Sequence, residues 1–206
     1  FSGKNVIVSG GATGIGYAIT KTYYKLGANV AICGRTKSKL INAHKTIVED
    51  NNTSENKFLY IVCDMSIENE VESLINSVLK NFGSVDVFVN NSGVWTNQSI
   101  LKINTQDIDY AFNNILKSTI LGTKISGFAM KKSGQGGSII NIGSFAGIMP
   151  QKNASLYACL KASIISFTKS AASEFSEYGI RVNCLTPGVV STRLAENYIQ
   201  QDYENV

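Results

Sequence analysis

Tyr157 and Lys161 stand four positions apart in the stretch YACLK. On a helix that spacing puts both side chains on one face, one turn apart. A tyrosine with an ordinary pKa of about 10 is a poor proton carrier at neutral pH, but a neighbouring ammonium favours its phenolate. Such a pair could pass a proton to or from an oxygen atom; the same spacing also occurs as a plain solvent-facing helix pattern. Other proton carriers are scarce. His44 is the one histidine and lies in a polar helical stretch. Cys33, Cys63, Cys159 and Cys184 are scattered without CxxC spacing, which indicates neither a zinc site nor a disulfide framework. They read as buried free thiols, and no metal site is expected.

A second cluster is SGGATGIG at residues 9–16, directly after a short apolar run and leading into a helical stretch. Glycines let the chain turn sharply and let backbone N–H groups approach a pyrophosphate, which the positive end of the helix dipole also attracts. Gly10, Gly14 and Gly16 therefore point to a dinucleotide, although tight packing alone can also demand glycine. Further on, CGRT at 33–36 closes a second apolar run. An acidic residue there would bind the ribose hydroxyls of NAD, whereas an arginine can pair with the extra phosphate of NADP. Arg35 argues for NADP(H), with NAD(H) possible; the other reading is a solvated arginine in a loop.

The elements that must carry these groups follow from the apolar pattern. NVIVS at 5–9, NVAIC at 29–33, FLYIVC at 58–63, VDVFVN at 85–90, SIINI at 138–142 and IRVNCL at 180–185 are short and rich in β-branched residues. They lack clean alternation, which suits strands covered on both faces of a parallel sheet. Between them, Ile15–Lys25, Lys39–Glu49, Glu68–Asn81, Thr105–Lys131 and Ser155–Glu177 are long enough for crossover helices. The expectation is an α/β doubly wound parallel sheet, one Rossmann domain over 1–206, with its ligand beyond the carboxyl ends of the strands. The polar stretch 50–56 and SGQGGS at 133–138 read as surface loops.

With 206 residues and 44% hydrophobic content, the chain can bury one substantial core. No apolar run approaches the roughly 20 residues needed to cross a bilayer, and the amino terminus lacks a basic segment followed by an apolar block. A cytoplasmic protein without a membrane partner is expected. The net charge of +4 comes from dispersed lysines, with no tract longer than Lys131-Lys132, so it reads as solubility and not as a nucleic-acid surface.

Taken in order, the glycine spacing, NNSG at 90–93, GS at 143–144, YACLK at 157–161 and PGVVST at 187–192 resemble the short-chain dehydrogenase/reductase family. Ser9 stands where the family's TGxxxGxG loop has threonine; NNSG is similar to NNAG, and PGVVST to PGxxxT. The resemblance implies hydride transfer between a nicotinamide and a carbonyl/alcohol substrate, with Ser144 binding the substrate oxygen, Tyr157 donating the proton and Lys161 holding the nicotinamide ribose. It implies that Asp64 and Met65 lie against the adenine, and that Asn91, Ser92 and Gly93 wall the adenosine ribose while Asn90 ties neighbouring loops. Asp64 has a second reading as a cap for the following helix. Thr13, Ile15, Pro187, Gly188, Val190 and Thr192 complete the implied cofactor set. Many NADP-dependent relatives carry a second basic residue near the position of Thr13, which weighs against the NADP(H) reading. A 3-oxoacyl thioester is one candidate substrate, and a homodimer or homotetramer through helices 105–131 and 155–177 is implied.

Two departures qualify the resemblance. Aligning FNNILKSTILGTK by Phe112, Ser118 and Lys124 puts Ile115 where many active relatives carry an asparagine thought to hold a water behind the lysine. Isoleucine cannot anchor a water, and Asn113 or Asn114 could serve only after a local shift, since neighbours on a helix point about 100° apart. A second function is therefore carried forward: a dinucleotide-binding sensor or scaffold with little catalysis. The other departure is length. Relatives continue after PGxxxT through a helical excursion to a seventh strand, so the chain is expected to be a trimmed or partial version that lacks that strand. Trp95, Phe145, Ile148, Met149 and Leu194 lie near motif ends and could line an apolar pocket.

Overall fold

A computed structural model describes residues 1–51 and 56–192. The chain alternates strand and helix: β1 (Asn5–Ser9), α1 (Gly14–Lys25), β2 (Asn29–Gly34), α2 (Lys37–Asn51), β3 (Phe58–Val62), α3 (Glu68–Phe82) and β4 (Val87–Asn90). Then follow α4 (Thr105–Phe112), a five-residue π segment (Asn113–Lys117), α5 (Ser118–Ser133), β5 (Gly137–Ile142), α6 (Ser155–Phe175) and β6 (Ile180–Leu185). The strands form one sheet in the order β3-β2-β1-β4-β5-β6, and every pairing is parallel. Chain order reverses between β1 and β4, which opens a crevice at their carboxyl ends. Among the described residues no helix is long and apolar enough to cross a membrane.

The missing alternation in the strand sequences has a direct cause. In β1, Ile7 joins a core with Val71 and Leu74 of α3 and Leu121 of α5, while Val6 and Val8 join another with Tyr24 of α1 and Leu40 and Ile47 of α2. Successive side chains point to opposite faces, and both faces are covered. The edge strand β3 departs from this expectation. Tyr60 is 39% and Val62 51% exposed, because helix cover is incomplete at the sheet margin.

The long stretch 105–131, expected as one helix, is interrupted. Asn104 and Asp107 form a reciprocal capping box at the start of α4, and the π segment then joins it to α5. The thiols also divide: Cys33 and Cys63 are buried, but Cys159 is exposed on α6 and Cys184 only partly covered. The expectation of four buried thiols is corrected, since a small apolar residue on a half-covered helix faces wherever its register puts it.

Behind the crevice lies a buried polar network. Asn90 Nδ2 donates to Asn141 Oδ1 at 2.8 Å and Thr123 Oγ1 at 3.1 Å, and Asn141 Nδ2 donates to Thr168 Oγ1 at 3.0 Å. Asn90 therefore joins β4 to β5 and α5, not loop to loop as expected. Its neighbour Asn91 does the loop-tying.

Candidate active site

The glycine loop and the NNSG turn are locked together where β1 and β4 end. Ser9 Oγ accepts from the Asn91 and Ser92 N–H groups at 2.9 and 3.0 Å, and Asn91 Nδ2 donates to the Ser9 and Gly10 carbonyls at 3.0 and 3.2 Å. Any hydroxyl can fill the Ser9 role, which explains why serine serves in place of threonine. A Cβ on Gly16 would collide with the Gly10 carbonyl and the Asn91 amide, so glycine is required there by close approach. Gly10 and Gly14 adopt positive φ angles of 63° and 53°.

The start of α1 fits a dinucleotide. Thr13 makes no side-chain cap and the first turn holds no acidic residue, which leaves the helix N–H groups and dipole facing outward. A groove of about 390 Å³ lies beside it, lined by Gly14, Ile15, Leu185, Pro187, Val190 and Thr192 among others. The glycine loop and the PGVVST loop, which also carries Gly188, thus form opposite walls of one feature. Leu194 lies outside the described residues, as does part of the polar stretch 50–56.

At the ends of β2 and β3, Arg35 Nη1 donates to Asn114 Oδ1 at 3.0 Å and lies 3.9 Å from Asp64 Oδ2. Asp64 Oδ1 accepts from the Ser66 N–H and hydroxyl at 2.9 and 2.7 Å, so it shapes the turn into α3. Burial pushes the Asp64 carboxyl up, but the Ser66 amide and hydroxyl, with Arg35 and Lys117, outweigh it and hold the carboxyl below its ordinary range. The Met65 side chain turns into the core against Cys33 and Cys63, with sulfur distances of 3.6 and 3.9 Å. What Met65 can offer an adenine is its backbone.

On α6, Tyr157 and Lys161 face the crevice and are 7% and 6% exposed. Lys161 Nζ donates to the Ile142 carbonyl at 2.7 Å, lies 5.6 Å from the centre of the Tyr157 ring, and would be 4.0 Å from a Cβ on Gly93. Ser144, two residues beyond β5, accepts from the Ala146 N–H at 3.2 Å and interacts with the Tyr157 hydroxyl. Burial lowers the Lys161 pKa to about 8, with Cys184 acting in the opposite sense. Burial also raises Tyr157 above its ordinary value, although the Ser144 hydroxyl pulls the other way. The expectation of a phenolate favoured by Lys161 is thereby corrected: burial of the ring outweighs the hydrogen bond with Ser144, and the ammonium, 5.6 Å from the ring centre, does not reverse the direction.

A family profile described as short chain dehydrogenase matches residues 4–203. The chain is a member of the short-chain dehydrogenase family. It is 32% identical over 195 residues to L-rhamnose-1-dehydrogenase of Scheffersomyces stipitis, covering 95% of this chain and 76% of that one. It is also 30% identical over 203 residues to 15-hydroxyprostaglandin dehydrogenase [NAD(+)] of Rattus norvegicus, covering 98% and 73%. Among solved structures, levodione reductase superposes with a TM-score of 0.93 at 28% identity, covering 100% of this chain and 79% of the other. The relatives share a reaction class and differ in the small molecule that their names carry.

This short-chain dehydrogenase places Ile115, the family departure, fully buried in a cluster with Ala111, Tyr157, Leu160 and Ile164. Asn114 is engaged elsewhere: its Nδ2 donates to the Tyr110 carbonyl at 2.8 Å and its Oδ1 accepts from Arg35. Of the apolar candidates, Trp95 stacks edge-on against Tyr157 with ring centres 4.5 Å apart. Phe145, Ile148 and Met149 are at least half exposed on the segment after Ser144. One device escaped sequence reading. The Gln98 N–H donates to the Asn153 carbonyl at 2.6 Å, clasping together the two loops that flank Tyr157. Asn153 achieves this at φ 59°, a left-handed conformation that asparagine tolerates better than most residues, and the asparagine in QKNAS was its available signal. Among the described residues no group of three His, Cys, Asp or Glu side chains could hold a metal ion.

Proposed function

We propose that this dehydrogenase interconverts a carbonyl and an alcohol with NADP(H), using Ser144, Tyr157 and Lys161. The observation that carries the reading is the meeting of these three side chains at the carboxyl end of β5, across from the uncapped start of α1. When bound, the dinucleotide supplies or accepts the hydride at its nicotinamide. The α1 N–H groups and the Gly10–Gly16 loop hold its pyrophosphate, and Arg35 takes the extra phosphate. Lys161 holds the ribose hydroxyls, Ser144 donates a hydrogen bond to the substrate oxygen, and Tyr157 gives that oxygen its proton. A protonated Tyr157, as burial favours, is the form required for reduction.

NADP(H) is chosen because Arg35 and no acidic residue closes β2; NAD(H) remains the alternative, and one relative carries NAD(+) in its name. The substrate is a small carbonyl or alcohol, with acyl thioesters included. Exposed Ile108, Tyr110, Phe112 and Phe128 on α4 and α5 support a homodimer or homotetramer through these helices. A second reading, a dinucleotide sensor or scaffold with little catalysis, is favoured only by Ile115.

The test titrates the protein with NADPH and with NADH, then mixes the NADPH complex with ketones, aldoses and 3-oxoacyl thioesters. Tyr157→Phe is expected to lower turnover by about 10² to 10⁴ while leaving NADPH binding unchanged. Unchanged turnover would overturn the role of Tyr157, and NADPH binding without oxidation across the panel would support the sensor.

A further inference from the structure

Arg35 leaves the carboxyl end of β2 and reaches across to the junction between α4 and α5, two elements far apart in sequence. Its partner there is a neutral amide. Asn114 is a residue of the π segment, and its Nδ2 is committed to the Tyr110 carbonyl at 2.8 Å. That bond determines which end of the amide faces outward, and the outward end is the oxygen that accepts from Arg35 Nη1 at 3.0 Å. The other anchor, Asp64 Oδ2, is 3.9 Å away, and Arg35 is more than half exposed. An ion pair of that length and exposure is weak and poorly directional. The Asn114 bond is the contact that fixes the guanidinium.

We infer that Asn114 is a positioning residue for cofactor selectivity: it holds Arg35 at the adenosine end of the site, ready for the ribose phosphate of NADP(H). The inference rests on the reading of Arg35 as the ligand of that phosphate. An unrestrained arginine must give up rotamer freedom when it engages a phosphate, whereas one already held gives up less. An amide suits the task better than a carboxylate, because it orients the guanidinium without neutralising the charge the phosphate needs. NADH offers no such phosphate and gains nothing from the arrangement.

The experiment is a double-mutant cycle read by direct binding of NADPH and NADH to the whole protein, with no substrate required. Asn114→Ala is expected to raise the Kd for NADPH by about three- to tenfold and leave that for NADH unchanged. Arg35→Ala is expected to abolish the preference for NADPH, and adding Asn114→Ala to it should then change nothing further. A second variant, Asn114→Leu, keeps the bulk of the side chain and should reproduce Asn114→Ala. Parallel weakening of both cofactors, no change in either, or full additivity in the Arg35→Ala background would each overturn the positioning role. If Arg35→Ala itself leaves NADPH binding intact, the phosphate assignment fails first and takes the inference with it; an effect of Arg35→Ala without one of Asn114→Ala sinks the inference alone.

Discussion

Lys161 offers a sharp test of the electrostatics, because its burial leaves a signature in stability as well as in chemistry. Its ammonium has the Ile142 carbonyl at 2.7 Å and is otherwise shut away from water, which lowers its pKa from 10.5 to about 8. A depression of that size corresponds to about 3 kcal/mol of preference for the neutral amine in the folded state. The sign follows from the two end states. Below pH 8 the lysine is charged both folded and unfolded, so the fold bears the whole penalty. As pH rises from 8 to 10.5 the folded form loses its proton first, and the penalty fades. Lys161→Met removes the charge at similar length, and gives up the bond to Ile142 at a cost of about 1 kcal/mol. Denaturant unfolding at pH 7 should therefore find Lys161→Met more stable than the wild type by about 2 kcal/mol, the difference between those two effects. Near pH 10.5 the order should reverse, the variant being less stable by about 1 kcal/mol. Groups that do not act on Lys161 are common to both proteins and cancel in the difference; Cys184, which does act on it, leaves a smaller residual. A stability difference that stays constant from pH 7 to 10.5 would refute the claim that Lys161 is held in a desolvated, charge-averse position.

Two more outcomes probe the frame and the thiols. Gly122 of α5 passes so close to β4 that an added Cβ would overlap Asn90 Oδ1 and come within 2.9 Å of Phe88 Cε1. Gly122→Ala should cost about 3 kcal/mol through overpacking and a disturbed Asn90 network, and a loss under about 1 kcal/mol in denaturant unfolding would contradict the packing described. Maleimide labelling at neutral pH should modify exposed Cys159 well before Cys33, whose thiol is pushed up by its hydrogen bond with Cys63 and by burial; equal rates in the native protein would show that the β2 core opens.

The strands were legible because burial on both faces writes a continuous apolar run, as in NVIVS, with no partner information needed. Coverage of an individual strand is a different quantity. FLYIV reads like the central strands, yet Tyr60 and Val62 face outward because β3 lies at the margin, and margin status depends on strand order. Similarly, the four-residue spacing of Tyr157 and Lys161 announces a shared face, but not the sign of the tyrosine shift. That sign is decided by Trp95 and Ile115, which reach the ring from elements 40 or more residues away. The exchange of roles between Asn90 and Asn91 has the same origin: adjacent strand-end residues point to opposite sides, and only the packing of α5 says which side is buried.

The π segment brings these points to bear on the departure that most threatened catalysis. An asparagine at 115 would bury its amide among Ala111, Tyr157, Leu160 and Ile164, where the one side-chain polar group of the four, the Tyr157 hydroxyl, is already engaged with Ser144, and an unmet amide there is costly. Isoleucine fills the same space with apolar surface and anchors the helix junction against α6. The widened turn meanwhile directs the preceding residue outward, so that Asn114 meets Arg35 and not the Lys161 side of the site. Ile115 is thus a packing solution whose polar neighbour is bonded to Arg35 instead. Any path that links Lys161 to bulk water must run by a route other than the side chain at 115.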